Sequence, residues 1–172
     1  MPIRDAIEAD LPAILAIYNE IIASTTAVYS EQPVSLEDRH RWWRGRVEQG
    51  YPVLVAHDAA GVAGFATFGD FRAWPCYRHT VEHSVHVHRE RRGQGIGTQL
   101  VSALIPRAAL LGKHVMVAGV DADNAISIRL HERLGFERVA HFREVGCKFG
   151  RWLDLVFLQR SIGAPALISD RQ

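Results

Sequence analysis

A basic, glycine-rich turn between a strand pattern and a helix pattern holds the residues whose types and spacing most clearly indicate chemistry. The strand ends in Val85-His86-Val87, and the turn and helix start follow as Arg92-Gly93-Gln94-Gly95-Ile96-Gly97-Thr98. Glycines at alternate positions omit the Cβ atoms that keep a ligand away from backbone N–H groups. A helix N-terminus adds unpaired N–H groups and a positive dipole end. The turn is therefore predicted to bind a pyrophosphate group, with Arg89, Arg91 and Arg92 adding positive charge beside it.

Two widespread phosphate-binding motifs do not match this turn. The Rossmann fingerprint needs Gly-x-Gly-x-x-Gly and an acidic residue about 20 positions later, and the Walker motif needs a Gly-Lys-Ser/Thr sequence. An ordinary strand-to-helix turn that uses glycine only for its backbone geometry is the alternative explanation. The surrounding elements must decide between this alternative and an anion site.

The elements that position the turn follow from the periodicity of the apolar residues. Strands are predicted at residues 3–6, 53–58, 62–68, about 78–87, 115–120, about 136–145 and 153–158, and helices at about 11–22, 35–50, 98–111 and 124–134. The order β-α-α-β-β-β-α-β-α-β-β predicts an α/β (α+β) fold with a mixed central sheet and helices on both faces. The strands before and after the helix at 98–111 should be parallel and joined by a right-handed crossover. Gly64 and Gly69 suggest a bulge, and a bulge at Glu82-His83-Ser84 would shift the alternation of the long strand by one residue.

Composition limits the functional classes. With 172 residues, 48% hydrophobic residues and a net charge of +1, the chain is expected to form one globular domain over residues 1–162, followed by a loose tail at 163–172. The balanced charge argues against a nucleic-acid or membrane surface. Two cysteines without metal-type Cys/His spacing indicate neither a disulfide framework nor a metal site. No signal peptide or long apolar run is recognisable, so a cytoplasmic location is expected.

The glycine turn matches the pattern Arg/Gln-x-x-Gly-x-Gly/Ala in full, and in this it resembles the coenzyme A pyrophosphate loop of the GNAT acetyltransferase superfamily. The segment Asn124-Ala125-x-Ser127-x-x-Leu130-His131-x-x-Leu134-Gly135-Phe136 resembles the second coenzyme-binding segment of that superfamily. The predicted order of elements is the order of the GNAT acyl-CoA N-acyltransferase fold. The resemblance covers residues 3 to about 159 and implies acetyl-CoA as co-substrate, without a metal.

A narrower resemblance is to the phosphinothricin and methionine sulfoximine N-acetyltransferase branch. It rests on Tyr18-Asn19, on Phe68-Gly69-x-Phe71-Arg72, on residues 77–84, and on Gly146-x-Lys148-x-Gly150-x-Trp152-x-Asp154. It implies direct acetyl transfer, in a ternary complex, to the α-amine of a small amino-acid-like acceptor such as methionine sulfoximine, methionine sulfone or phosphinothricin. It also implies a homodimer. His131 stands where the superfamily commonly has a Tyr, and the branch is expected to have a His there.

The superfamily resemblance also implies which residues bind the coenzyme. The backbone of Val85, His86 and Val87 would pair with the pantetheine amides as an added strand does. The pyrophosphate would be held by Arg92, Gly93, Gln94, Gly95, Ile96, Gly97 and Thr98. Asn124 and Ser127 would contact the pantetheine arm, although N-capping of the helix explains Asn124 equally well.

The transfer also needs acid–base chemistry. An α-amine is largely protonated at neutral pH, so a general base contributes roughly 10²–10⁴-fold. Glu82 is the candidate base, acting directly or through one water, and its structural alternative is a pair with Arg78, His83 or His86. His131 is the candidate acid for the leaving thiolate, and its alternative is a purely structural histidine. Backbone N–H groups near Val85 are the candidate oxyanion donors.

Acceptor recognition is expected from a neighbouring segment. Arg72, flanked by Phe71 and Trp74, fits a clamp for a carboxylate or phosphinate, because a guanidinium offers two coplanar donors. The predicted acceptor-lining residues are Arg72, Ala73, Trp74, Glu82, His83 and Ser84. A solvated surface position for Arg72 is the alternative. Two other functions stay open at this stage: a GNAT enzyme for another amine (a protein N-terminus, a polyamine or another xenobiotic), and a non-catalytic coenzyme A sensor.

Overall fold

A seven-stranded mixed sheet organises the protein, and the computed structural model describes it over residues 1–163. The strands are β1 (Ile3–Asp5), β2 (Val53–Asp58), β3 (Gly61–Asp70), β4 (Thr80–Val87), β5 (Val115–Asp121), β6 (Glu137–Lys148) and β7 (Arg151–Ser161), and the helices are α1 (Leu11–Ser24), α2 (Leu36–Glu48), α3 (Ile96–Leu110) and α4 (Ala125–Arg133). The predicted order of elements is confirmed. Of the predicted tail, residues 164–172 lie outside the described part of the chain.

The sheet is open along one seam. Its strand order is β1-β2-β3-β4-β5-β7-β6, and β4 and β5 are the parallel pair that the crossover through α3 predicts. β4 pairs with β3 from Val81 opposite Asp70 up to Val87 opposite Gly64. Its pairing with β5 ends much earlier, at Glu82 opposite Val117. Beyond Glu82 the two strands therefore separate, and the seam between them opens at the end where the glycine turn lies.

Side chains along the central strands point alternately to the two faces of the sheet, and this alternation divides the hydrophobic core into two layers. On one face, α3 packs through Leu100 and Leu104 against Phe68 and Met116. On the other face, α1 packs against Val53, Val55 and Phe65. Successive side chains of a strand point to opposite faces, so Phe65 and Phe68 belong to different layers. Burying such a side chain stabilises the fold by about 1.5–3 kcal/mol. Because β4 pairs with β3, the burial of Phe65 and Phe68 on opposite faces also determines which side chains of β4 face α1 and which face α3.

Several local predictions need correction. The register of β3 with β4 is continuous from Val81 to Val87, so the bulge considered at Glu82-His83-Ser84 does not occur. The irregularity lies instead between β2 and β3, next to Gly64. Gly69 pairs regularly, and its missing side chain makes room for a guanidinium, since a Cβ there would overlap Nη1 of Arg46. Among residues 1–163, no helix is both long enough and apolar enough to cross a membrane.

Candidate active site

The glycine turn has the exposed backbone that an anion site needs. Gly93 and Gly95 adopt φ values of 77° and 75°, in the left-handed region that favours glycine. Gly95 is the N-cap of α3 and offers no side chain to the first N–H groups of the helix. Those groups are therefore left for a ligand or for water. The helix begins at Ile96 rather than at the predicted Thr98, which brings its first turn into the motif.

Not every residue of the motif faces this turn. Gly97 is buried, and a Cβ there would lie 3.0 Å from Cδ1 of Leu130, so this glycine allows α3 to approach α4. Arg91 pairs with Asp58. Arg92 pairs with Glu20 at 2.8 Å, and its Nε donates to the carbonyl of Val87 at 3.2 Å. Two of the three arginines are thus already neutralised by carboxylates, and the backbone is the principal anion-binding element.

The strand before the turn contributes backbone rather than side chains. The imidazole of His86 is buried beneath α1, edge-on to Tyr18 and tilted against Phe65. Burial, together with the charges of Arg39 and Arg92, lowers the pKa of His86 to about 4. Only its backbone can therefore meet a coenzyme, as is also expected for Val85 and Val87.

The second coenzyme segment begins with a helix cap. Oδ1 of Asn124 accepts from the backbone N–H of Ser127 at 3.1 Å, so Asn124 is the N-cap of α4. The capping alternative is confirmed. The cap uses only the oxygen of the amide, so Nδ2 is the atom through which Asn124 would contact a pantetheine arm.

Glu82 stands where β4 and β5 separate. It occupies the last paired position of the two strands, and Oε1 lies 3.0 Å from the point where a Cβ of Gly119 would be. Burial raises the pKa of the Glu82 carboxyl, and the charge of Arg72 opposes this rise. Within residues 1–163, Glu82 forms no ion pair with Arg78, His83 or His86, so the structural alternative for Glu82 is wrong.

His83 and His131 form a buried pair on the opposite face of the sheet. Their Nε2 atoms lie 3.1 Å apart, both rings pack on Phe136, and His131 is only 2% exposed. Nδ1 of His131 lies 2.7 Å from the carbonyl oxygen of Ser127, which can only accept, so this nitrogen carries the proton. The other nitrogen of a neutral His131 then accepts from His83, whose Nδ1 is buried without a partner.

The pair is neutral because burial lowers the pKa of both imidazoles. In this state Nε2 of His131 holds no proton to donate. The imidazole of His83 packs on His131 and Phe136, while the residue itself belongs to the lining of the cleft that contains Glu82. A role of His83 in acceptor binding stays a prediction. The acid role of His131 stays a prediction, and the hydrogen bonds favour a role in positioning β4 through His83.

The segment proposed to recognise the acceptor lies on the surface between β3 and β4. The guanidinium of Arg72 stacks on Phe71 at 4.1 Å and donates to the carbonyl of Phe71 at 2.8 Å. Trp74 is 74% exposed, and Ala73 is also exposed. Arg72 is thus held by Phe71 without packing on Trp74, and it lies near enough to Glu82 to lower the pKa of that carboxyl.

A cleft of about 530 Å³ lies on the Glu82 side of the sheet, beneath α1 and α2. Its walls include side chains that sequence reasoning placed there and others that it missed. Glu82, His83 and Ser84 belong to the first group, and the second includes Tyr18, Arg39, Trp42 and Arg46. For the three missed residues on α2 the signal is their spacing, since positions i, i+3 and i+7 of a helix share one face.

Comparison with known proteins identifies the family. Residues 14–136 match the sequence model of the Acetyltransferase (GNAT) family. The chain belongs to this family. An L-methionine sulfoximine/L-methionine sulfone acetyltransferase of Pseudomonas aeruginosa is 55% identical over 161 residues, which cover 93% of this chain and 94% of that protein. A phosphinothricin N-acetyltransferase of Streptomyces coelicolor is 36% identical over 93% of this chain and 95% of its own length.

Solved structures agree with the GNAT assignment. The structure of yncA from Salmonella typhimurium with acetyl-CoA superposes with a TM-score of 0.94 at 48% identity, covering 96% of each chain. A phosphinothricin acetyltransferase of Sinorhizobium meliloti in complex with acetyl-CoA gives a TM-score of 0.91 at 40% identity, covering 94% of this chain and 88% of that one. The predicted fold and the acetyltransferase class are confirmed. In the described part of the GNAT domain, no group of three His, Cys, Asp or Glu side chains is arranged to hold a metal.

Proposed function

We propose that this acetyltransferase transfers the acetyl group of acetyl-CoA to the α-amine of a small amino-acid acceptor of the methionine sulfoximine, methionine sulfone or phosphinothricin type. The observation that carries the proposal is a carboxylate, Glu82, inside a cleft and at the point where β4 and β5 separate. Relatives with these acceptors in their names are 55% and 36% identical over more than nine-tenths of the chain.

The residues of this chain fit acetyl-CoA. The exposed turn around Gly93 and Gly95 would hold the pyrophosphate on N–H groups at the start of α3. The open seam of β4 beyond Glu82 would hold the pantetheine arm on the backbone of Val85 and Val87. When bound, acetyl-CoA supplies a thioester as acyl donor. The acetyl-CoA complexes of yncA and of the Sinorhizobium enzyme, at TM-scores of 0.94 and 0.91, support this assignment.

Glu82 would act as the general base. Its carboxylate takes a proton from the acceptor ammonium, directly or through one water, so that the neutral amine can attack the thioester carbonyl. Burial raises the pKa of Glu82 and so brings its proton affinity nearer to that of the amine, which improves the transfer. The N–H groups near Val85 would stabilise the oxyanion. The cation of Arg72, on the edge of the same region, would attract an anionic acceptor.

We also infer a homodimer. β6 is an edge strand, and the ribbon that it forms with β7 exposes several large apolar side chains. Trp152 is 67% exposed, and the others are Val139, Phe142, Val145 and Phe149. Exposed apolar side chains on an edge ribbon favour association. Trp152 also belongs to the motif from Gly146 to Asp154 that carries the branch resemblance, and this resemblance implies a second copy of the chain as the partner.

The test is a thiol-release assay with acetyl-CoA and a panel of amines. Methionine sulfoximine, methionine sulfone and phosphinothricin should be turned over in preference to a polyamine, an aminoglycoside and a peptide N-terminus. Glu82→Gln should lower kcat by roughly 10²–10⁴-fold without changing the KM for acetyl-CoA. Glu48→Gln, at an exposed position on α2, is the matched control.

Each other result has a defined meaning. No turnover with any amine would support a coenzyme A sensor and reject the enzyme assignment. A preference for the polyamine or the peptide would reject the acceptor class alone. An unchanged kcat in Glu82→Gln at saturating acceptor would remove Glu82 as the base.

A further inference from the structure

Helix α2 presents two arginines to the interior of the cleft. Arg39, Trp42 and Arg46 recur at i, i+3 and i+7, and all three line the cleft that also contains Glu82. The other arginines of this helix, Arg41 and Arg44, are exposed. The inward face of α2 is therefore cationic where most helices that cover a sheet are apolar.

Arg39 is the more deeply buried of the two inward arginines. The residue is only 4% exposed, and its guanidinium carbon lies 4.2 Å from the ring centroid of Tyr18 and 4.5 Å from that of Trp42. Its Nε atom is fully buried and has no hydrogen-bond partner within residues 1–163. Two aromatic faces thus fix the plane of the guanidinium, while its buried Nε–H is left without an acceptor in the described part of the chain.

The neighbouring charges do not neutralise Arg39. Asp38 also lines the cleft, but its carboxylate accepts from Ser35 and from Arg41 at 2.8 Å. Arg92, the other cation near His86, is paired with Glu20. A buried guanidinium without an anion is costly, because the two aromatic rings offset only part of the loss of its hydration. The folded protein therefore has a strong electrostatic reason to accept an anionic or strongly polar ligand at this point.

The position of Arg39 assigns it to one end of the acceptor. Trp42 packs edge-on to Phe65, which pairs with His86 on β4, whereas Arg46 packs on Gly69, which pairs with Glu82. The helix therefore runs along the cleft from the His86 end, near Arg39, to the Glu82 end. An acceptor whose amine is at Glu82 would extend its remaining polar groups toward Arg39.

We propose that the guanidinium of Arg39 is the specificity-determining group that binds the oxygen-rich end of the acceptor, either a carboxylate or a tetrahedral sulfonyl or phosphinyl group. The inference rests on the proposed function, since the acceptor is the ligand concerned. Two N–H donors in one plane match two oxygens on one carbon, sulfur or phosphorus atom. Arg72, at the surface near Glu82, is then not the sole cation that the acceptor meets.

The experiment compares kcat/KM for three acceptors in the wild type and in Arg39→Gln. The ratio of kcat/KM for methionine sulfone to that for methionine measures the preference for the sulfone oxygens. The ratio of kcat/KM for methionine sulfone to that for its carboxamide measures the preference for the carboxylate. In Arg39→Gln, one of these two preferences should fall by roughly 10–100-fold, the range expected for losing a charged hydrogen bond. The KM for acetyl-CoA should stay unchanged. The preference that falls identifies the bound group.

Two variants accompany the test. Arg39→Lys keeps the charge but lacks the planar pair of donors, so it should recover only part of the lost preference, and it serves if Arg39→Gln does not fold. Arg44→Gln, an exposed arginine of the same helix, should leave both preferences intact. Calorimetric titration of methionine sulfone into the enzyme saturated with coenzyme A should show the same loss of affinity for the Arg39 variants without turnover.

The failures are separable. If the wild type turns over methionine sulfone and both preferences survive in Arg39→Gln and Arg39→Lys, the Arg39 inference is overturned while the proposed function stands. An equal loss for all three acceptors, with a lower unfolding temperature, would reduce Arg39 to a link between α1 and α2 and would also overturn it. If the wild type neither binds nor turns over any of these acceptors, the proposed function fails and this inference fails with it.

Discussion

Two opposing effects, burial and a neighbouring positive charge, determine the pKa of Glu82. Burial at the mouth of the β4–β5 seam raises the pKa of its carboxyl, and the charge of Arg72 lowers it. Arg72 is held in place by Phe71, through stacking at 4.1 Å and a hydrogen bond to the Phe71 carbonyl at 2.8 Å. The residue first considered as an acceptor clamp therefore also regulates the base.

This coupling predicts a change in the pH profile of Arg72→Ala. Removing the cation leaves burial unopposed, so the pKa of Glu82 rises further. Because the base must be ionised, the acidic limb of log kcat/KM for the acceptor should move to higher pH. The profile measured for the wild type and for Arg72→Ala checks this, with Arg78→Ala as a control from the same surface segment. A limb that stays in place, or moves to lower pH, would separate Arg72 from Glu82.

At the scale of elements, Asn19 and Lys148 are among the side chains that hold the connection between α1 and α2. Asn19 brackets Val34, donating to its carbonyl at 2.9 Å and accepting from its N–H at 3.0 Å. Lys148, at the end of β6, is 1% exposed and donates through Nζ to the carbonyls of Thr25 at 2.6 Å and Val28 at 2.8 Å. Val28 and Val34 line the cleft, so these clamps shape its wall.

Lys148→Met should therefore affect both stability and acceptor binding. Methionine keeps the apolar stem but leaves two carbonyls without their charged donor, which should cost about 2 kcal/mol of unfolding free energy. The KM for the acceptor should rise while the KM for acetyl-CoA changes little. Urea unfolding and steady-state kinetics measure the two effects.

The other lysine of the chain provides the comparison. Lys113 donates to the carbonyl of Arg78 at 2.7 Å and to the hydroxyl of Tyr51 at 2.9 Å, and neither partner lines the cleft. Lys113→Met should lower stability without raising the acceptor KM. Equal kinetic effects in the two variants would show that Lys148 acts through general stability and not through the wall of the cleft.

These elements also show what sequence can and cannot predict. The order of elements and the parallel pair around α3 follow from local periodicity, and the glycine turn follows from backbone requirements confined to a few residues. The contacts of Lys148 join residues more than 100 positions apart, which no local pattern encodes. The positions of Arg39 and Arg46 in the cleft were not predicted, because arginine on a helix usually faces solvent. The face of the sheet to which His83 points could not be predicted, because a bulge at Glu82-His83-Ser84 would have reversed it and the sequence could not exclude such a bulge.

At the scale of the whole molecule, three buried histidines lie in the core, on both faces of the sheet. His83 and His131 share one hydrogen bond on the α4 side of the sheet, and His86 is enclosed on the α1 side. Burial lowers the pKa of all three, so each is neutral in the folded protein. Each of the two layers of the core therefore contains at least one histidine whose protonation is disfavoured in the folded protein.

The resulting prediction concerns acid stability. In the unfolded chain His86 binds a proton near its usual pKa of about 6.5, whereas in the folded protein its pKa is about 4. Between these values the unfolded state holds more protons, so the stabilising contribution is complete above about pH 6.5 and is lost as the pH falls toward about 4. Each such histidine adds up to about 1.4 kcal/mol per pH unit to the slope of the unfolding free energy.

His86→Phe isolates one of these contributions, because phenylalanine keeps a planar ring between Tyr18 and Phe65 but cannot bind a proton. Urea unfolding at a series of pH values should give a slope smaller by about one proton in this interval. If His86→Phe kept the full wild-type slope, the acid sensitivity would have to come from the other buried groups, because His86 would then bind the same number of protons in both states.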